Sequence, residues 1–291
     1  MSIYKIDQKT KYNKLLSATL PLIPRPAQNY LLSQVTHLEA STRYGYASNY
    51  CVFFNFVCGN ITRFSHLSAP MLTFDDFKDI TYDDINFFKN YYLANHSNSS
   101  LNRILCSLSS LYNYYIKQLI LDVNPVLPIS RSSDTNSSPK LLDSDVSKLL
   151  SNALTGDFLK GKSHTHFSRL KLRDYAILRL IIDLGLSVSD ICSLNISDVD
   201  LNDNSIWLFS TKRGWSVIHF TDELKNILSD YQNYRISITD ARSDAFFIQR
   251  DTDRLSSRTI ELIVKKYCSN ISASISPRSL RKYALSNDLA V

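Results

Sequence analysis

The chain has 291 residues, of which 44% are hydrophobic and 21% charged, and its net charge is +6. That mix is globular and excludes wholesale disorder, and no apolar run reaches the roughly 18 residues needed to span a bilayer. With 6 Gly and 8 Pro in the whole chain, the tight turns of an all-β protein are excluded as well, and long helices are expected. The N-terminus carries charge but lacks the apolar core and cleavage site of a secretory signal, so a soluble cytoplasmic protein is expected. Cys51, Cys58, Cys106, Cys192 and Cys268 are odd in number, widely spaced and without a CxxC pair. They read as buried free thiols rather than a disulfide framework or a zinc site. His164 and His166 have no third ligand close by, so no metal is expected.

In chain order, Ser41 and Thr42 can cap a helix running to Cys58, along which Tyr44, Ala47, Cys51, Phe54 and Cys58 recur at helical spacing. Asp83-Asp84 opens another, with Ile85, Phe88 and Tyr92 apolar. From Ser100 to Leu119 an apolar stripe runs from Leu101 through Leu105, Leu108 and Tyr112 to Leu119, the spacing of a helix packed on one side. A bundle of four or five helices follows from these signals. Asn124-Pro125 stops the last one, because proline cannot continue it. Residues 130–139 include a run without one apolar side chain and read as a linker between a domain at 1–129 and another at 140–291.

The second half is mixed. Asp143 caps a helix to Leu154, and Leu170 to Leu184 is apolar on most sides, the mark of a buried helix. Ser205–Phe209 and Val217–Phe220 read as a hairpin turning at Lys212-Arg213-Gly214. Helices then span Thr221–Tyr234 and Ser256–Cys268 around a brief strand at Ala245–Ile248, and a final helix starts near Pro277. The fold class expected is mainly α with a small β-sheet. Basic residues concentrate in two stretches. Lys160, Lys162, Arg169, Lys171, Arg173 and Arg179 face one acid, Asp174. Arg254, Arg258, Lys265, Lys266, Arg278, Arg281 and Lys282 face one, Glu261. Such clusters suit a phosphate backbone, or equally two solvated helix faces.

Several local motifs, in this order, resemble the tyrosine recombinase (phage integrase) family over nearly the whole chain. Thr42-Arg43 with Tyr46, Ser100-Leu101-Asn102-Arg103, and Asn124-Pro125-Val126 are similar to its N-terminal DNA-clamping domain, a SAM-like core-binding helical bundle. Leu142-Asp143-Ser144-Asp145-Val146, Arg173-Asp174-Tyr175-Ala176-Ile177-Leu178, Gly185-Leu186 and Ser189-Asp190-Ile191 are similar to its α+β catalytic domain. The resemblance implies site-specific DNA recombination or integration, as on mobile genetic elements. A tyrosine hydroxyl attacks a phosphodiester to leave a phosphotyrosyl link, two arginines balance the phosphate charge, and a hairpin lysine and histidines move protons. No metal or cofactor is implied, and the partner is double-stranded DNA, on which such proteins form homo- or hetero-multimers; no membrane or small-molecule partner is implied.

Carried over residue by residue, the first arginine position holds Ser187, the hairpin lysine is Lys212 with Arg213 beside it, and the second arginine is Arg281. Arg278 stands at the histidine position, where a guanidinium keeps its charge while an imidazole titrates near neutral pH. DNA contacts are expected from Arg43, Arg103, Lys171, Arg173, Arg213, Arg258 and Lys282. The family's nucleophilic tyrosine lies a few tens of residues past this second arginine, and the sequence closes ten residues after Arg281. Tyr283, in the same helix, is not its equivalent, so the catalytic domain is expected to lack its C-terminal end. Expected, then, is a DNA-binding protein defective in strand cleavage on its own. A strand transferase using a partner chain's tyrosine and a regulator that occupies recombination sites remain the alternatives.

Overall fold

The computed structural model of the chain describes residues 3–132, 141–210, 214–238, 243–249, 253–271 and 274–288. The chain divides into two compact units, Lys5–Ser137 and Ser138–Val291, the latter with Met1–Tyr4. The division falls inside the expected linker, whose residues 133–139 lie outside the described residues.

In the first unit the helices are α1 (Ile3–Thr19), α2 (Arg25–Ser33), α3 (Ala40–Asn60), α4 (Phe74–Lys78), α5 (Tyr82–Leu93) and α6 (Asn98–Lys117). Their starts follow local chemistry. Thr81 caps α5 and Asp84 reaches back to the Thr81 backbone N–H at 2.7 Å, so two otherwise orphaned amides are satisfied at once. Ser97 caps α6 through the Ser100 N–H. Helix α3 starts one residue before the expected cap: Glu39 stands at its N-cap without a side-chain hydrogen bond.

The α6 stripe is buried from Leu101 to Tyr115, but the helix stops at Lys117, and Leu119 lies 94% exposed at a φ of 58°. Asn124 closes this end. Its amide donates to Ser109 Oγ at 3.0 Å and Asn113 Oδ1 at 2.8 Å, and its carbonyl accepts from the Val126 N–H. The core between α3, α4, α5 and α6 is aromatic, with Phe53 edge-on to Phe88 at 5.2 Å and Phe77 stacked on Tyr112 at 4.5 Å.

The second unit is built on α9 (Phe167–Leu184), whose Ala176, Ile177, Leu178, Leu180 and Ile181 are fully buried. Against it lie α7 (Asp143–Thr155), α8 (Lys162–Thr165), α10 (Val188–Ser193), α11 (Asp222–Ile238), α12 (Ser257–Tyr267) and α13 (Pro277–Asp288). Leu142, rather than Asp143, is the N-cap of α7; its backbone N–H donates to Asp145.

The sheet has order β1-β2-β3, all antiparallel, from Val199–Asp200, Ser205–Ser210 and Gly214–His219. The first, two-residue strand is too short for a sequence pattern to mark. Ala245–Ile248 corrects another expectation: it makes only the isolated bridges Asn195↔Ala245 and Ile248↔Arg254. Its four residues are all buried, and a run apolar on every side carries no strand period.

Among the described residues no helix is long and apolar enough to cross a membrane, and no group of three or more His, Cys, Asp or Glu is placed to hold a metal. All five cysteines are free, but only Cys58 and Cys192 are buried; Cys51 and Cys268 are half-buried, and Cys106 is exposed. It sits on the face of α6 opposite the stripe, where Arg131 donates to its sulfur at 3.2 Å.

Candidate nucleic-acid interface

The end of α9 sets the geometry of the site. Gly185 closes this helix at a φ of 61°, and the Leu186 N–H returns to the Leu180 carbonyl at 3.3 Å. A Cβ on Gly185 would stand 3.1 Å from the Leu285 side chain, so the turn before Ser187 is held tightly against α13. Ser187 then starts α10. Its hydroxyl donates to Asp190 at 2.6 Å and accepts the Asp190 N–H at 3.2 Å, while its own N–H donates to the same carboxylate. That reciprocal cap occupies the side chain at the position that the resemblance aligns with the family's first arginine.

Across from this turn, α13 carries Arg278, Arg281 and Lys282. Leu280 and Ala284 bury its inner face, while all three basic side chains are exposed, and none has an ion-pair or hydrogen-bond partner among the described residues. Spacings of three and four place them on neighbouring positions of one surface. A cleft of about 850 Å³ opens between α10, α12 and α13, with Val188, Arg258, Lys265, Cys268, Ile275 and Arg278 among its walls. Arg258 is committed to Glu261 at 2.9 Å, an exposed pair that leaves its charge only partly balanced. Lys265 is exposed and has no partner among the described residues. Burial raises the Cys268 thiol to about 12, so it stands in this wall as a neutral group.

Lys212 and Arg213 lie outside the described residues. Arg103 is exposed on α6, and Lys171 is half-buried with its ammonium 5.9 Å from the Phe167 ring centroid. Two of the expected contacts are buried and bonded internally. Arg43 is 6% exposed, and its guanidinium donates to Asn13 at 3.1 Å. Arg173 is 7% exposed and binds Asp174 at 2.7 Å and the Ile248 carbonyl at 3.1 Å. Asp174 also accepts from Lys266 at 2.5 Å and from the Tyr267 hydroxyl at 3.1 Å. Arg173 is thus an internal brace, because a buried carboxylate demands cations around it.

Two more members of the basic clusters are used internally. Arg179 bonds Asp183 and Glu223, each at 2.7 Å. Burial works against its charge, but the Glu223, Tyr175 and Asp183 hydrogen bonds outweigh it and hold the guanidinium above its ordinary range. Arg254 donates to the Cys192 and Leu194 carbonyls and to Asn195. Lys265 lines the cleft and was not among the residues that motif matching singled out. A signal was present, since Arg258, Glu261, Lys265 and Cys268 repeat at spacings of three and four along one face of α12.

Residues 141–289, just over half the chain, match the phage integrase family. The chain belongs to the phage integrase family. It is similar to the tyrosine recombinase XerC of Caldanaerobacter subterraneus subsp. tengcongensis, 25% identical over 248 residues that cover 82% of this chain and 66% of that one. With XerC of Pseudomonas fluorescens Pf0-1 it is 28% identical over 170 residues, covering 58% of this chain and 53% of the relative. The chain thus spans between half and two thirds of the length of these relatives. Two solved structures share the fold. One is XerH recombinase bound to a palindromic difH substrate, with a TM-score of 0.64, 13% identity, and coverage of 96% of this chain and 85% of that one. The other is a lambda integrase (75–356) dimer bound to a COC' core site, with a TM-score of 0.63, 16% identity, and coverage of 90% and 87%. The family so shown is the one whose motifs the sequence carries.

Proposed function

We propose that this member of the family binds duplex DNA through the exposed cations of its second unit and is impaired in cleaving a strand by itself. The observation that carries the reading is the set Arg278, Arg281 and Lys282, exposed on one helix with no carboxylate partner among the described residues. Guanidinium groups in that state fit phosphate oxygens, and ammonium groups add charge. Arg103 in the first unit, and Lys171, Arg258, Lys212 and Arg213 in the second, extend the same role. DNA-bound dimers among its structural neighbours support a multimer of this chain on DNA.

The impairment follows from Ser187. Its hydroxyl is taken up by Asp190, and a short neutral side chain there cannot reach a phosphate as an arginine would. Losing one preformed donor to a developing charge costs about 10²–10³ in rate. Arg278 at the histidine position keeps positive charge but gives no group that titrates near neutral pH. Covalent trapping on a nicked duplex tests this reading. Wild type is expected to retard the duplex in a gel yet to form a denaturant-stable protein–DNA species at least about 10²-fold more slowly than an intact recombinase. A covalent complex formed at the rate of an intact recombinase would overturn the impairment, and no retardation at all would overturn DNA binding.

A further inference from the structure

The cleft between α10, α12 and α13 holds more positive charge than its structure requires. Arg258 has Glu261, and the nearby Asp190 is held by Ser187, but Lys265 and Arg278 face the same space from different helices with no partner among the described residues. The hydroxyl-bearing Ser269, Ser274 and Ser276 also line it, and hydroxyls and cations together are the donor set that anionic oxygen takes. Val188 in the opposite wall directly follows Ser187, so this charge gathers beside the position where the family's first arginine would stand.

We propose that Lys265 and Arg278 hold one phosphate of the bound DNA strand between them, replacing from the cleft the cationic contact that Ser187 does not make. This rests on the DNA-binding reading above. Arg281, three residues along α13, then supplies the other half of the phosphate clamp, so that the clamp is built from α12 and α13 rather than from α10. The ligand chemistry is a phosphodiester with two free oxygens, one for the ammonium and one for the guanidinium fork. Lys265 differs in this from its neighbour Lys266, which is spent on the buried Asp174.

The test is a double-mutant cycle with Lys265→Gln and Arg278→Gln on the full chain, read as affinity for a duplex of fixed sequence across a salt series. Lys117→Gln, on the exposed end of α6, serves as a surface-charge comparison. Two groups on one phosphate act as a unit. Each single variant is expected to weaken binding about tenfold, and the double variant to be no more than about threefold worse than either. Independent surface charges would instead multiply, giving a double variant about a hundredfold weaker, and that result would overturn the proposal. So would a Lys265→Gln variant no weaker than Lys117→Gln.

Inorganic pyrophosphate provides a second arm. Its binding to wild type, followed by calorimetry and lost in both single variants, is expected. If pyrophosphate binds this way while duplex DNA does not, the phosphate site stands and the DNA-binding reading falls. If DNA binds while both variants behave as wild type towards either probe, the reading stands and the shared phosphate falls.

Discussion

Ser187 and Gly185 sit two residues apart and constrain the site by different physics. Ser187 satisfies amides at the start of α10, and its replacement by alanine is expected to cost about 1 kcal/mol, measured as a lower urea midpoint at unchanged slope. Gly185 combines a left-handed backbone with a close approach to Leu285. Gly185→Ala is expected to cost about 1–2 kcal/mol from the backbone alone, and more if Leu285 cannot shift. A loss confined to that range would mean that α13 relaxes around the added methyl, and an unchanged midpoint would contradict the backbone cost. The thiols divide by the same logic of surroundings. Cys106 is exposed, whereas burial raises the Cys58, Cys192 and Cys268 thiols, the last to about 12. At pH 8 an alkylating reagent is expected to modify Cys106 first, and the buried Cys58 and Cys192 only after denaturant is added. The sign for stability follows from Cys268. Its thiol stays neutral in the fold while the unfolded chain ionises near its ordinary value of 9.0, so its contribution is lost as pH rises from about 9 towards 12.

At the scale of elements, the joint between α9 and α12 is ionic at its centre. Asp174 is fully buried between Arg173, Lys266 and Tyr267. Removing one member of such a cluster strands the others, so Asp174→Ala is expected to cost about 3–5 kcal/mol in thermal or urea unfolding. A loss below 1 kcal/mol would show that water reaches the cluster. This joint also marks what the sequence could and could not reveal. The stripe of α6 and the turn after α9 were readable, because amphipathic spacing and Gly185 leave local signatures. Charge counting placed Arg173 with the DNA contacts, because the groups that bury it are distant in sequence: the Ile248 carbonyl is 75 residues away, and Lys266, which shares Asp174, is 92 residues from that carboxylate. Arg43 was carried over with the Thr42-Arg43 motif, and the asparagine that holds it lies 30 residues earlier. In Ala245–Ile248, burial on all sides removed the alternation that a strand would need. Lys265 was hidden for the opposite reason: its face of α12 is periodic, but only the fold brings Arg278 beside it.

For the whole molecule, the net charge of +6 is unevenly used. Arg43, Arg173, Arg179, Arg254 and Lys266 brace the two units internally, while Arg278, Arg281, Lys282 and Lys265 remain exposed and without partners among the described residues. The second set is not tied up in such braces and is available for phosphate, and each contact it makes releases counterions from DNA. The most direct measurement is the affinity of the chain for a duplex, followed by fluorescence anisotropy as salt is raised from about 50 to about 200 mM. Three phosphate contacts from α13 alone predict a log–log slope of about −2.7, or roughly a fortyfold loss of affinity across that range, and Lys265 would steepen it. A flat salt dependence would contradict the central claim that these cations form a DNA-binding surface.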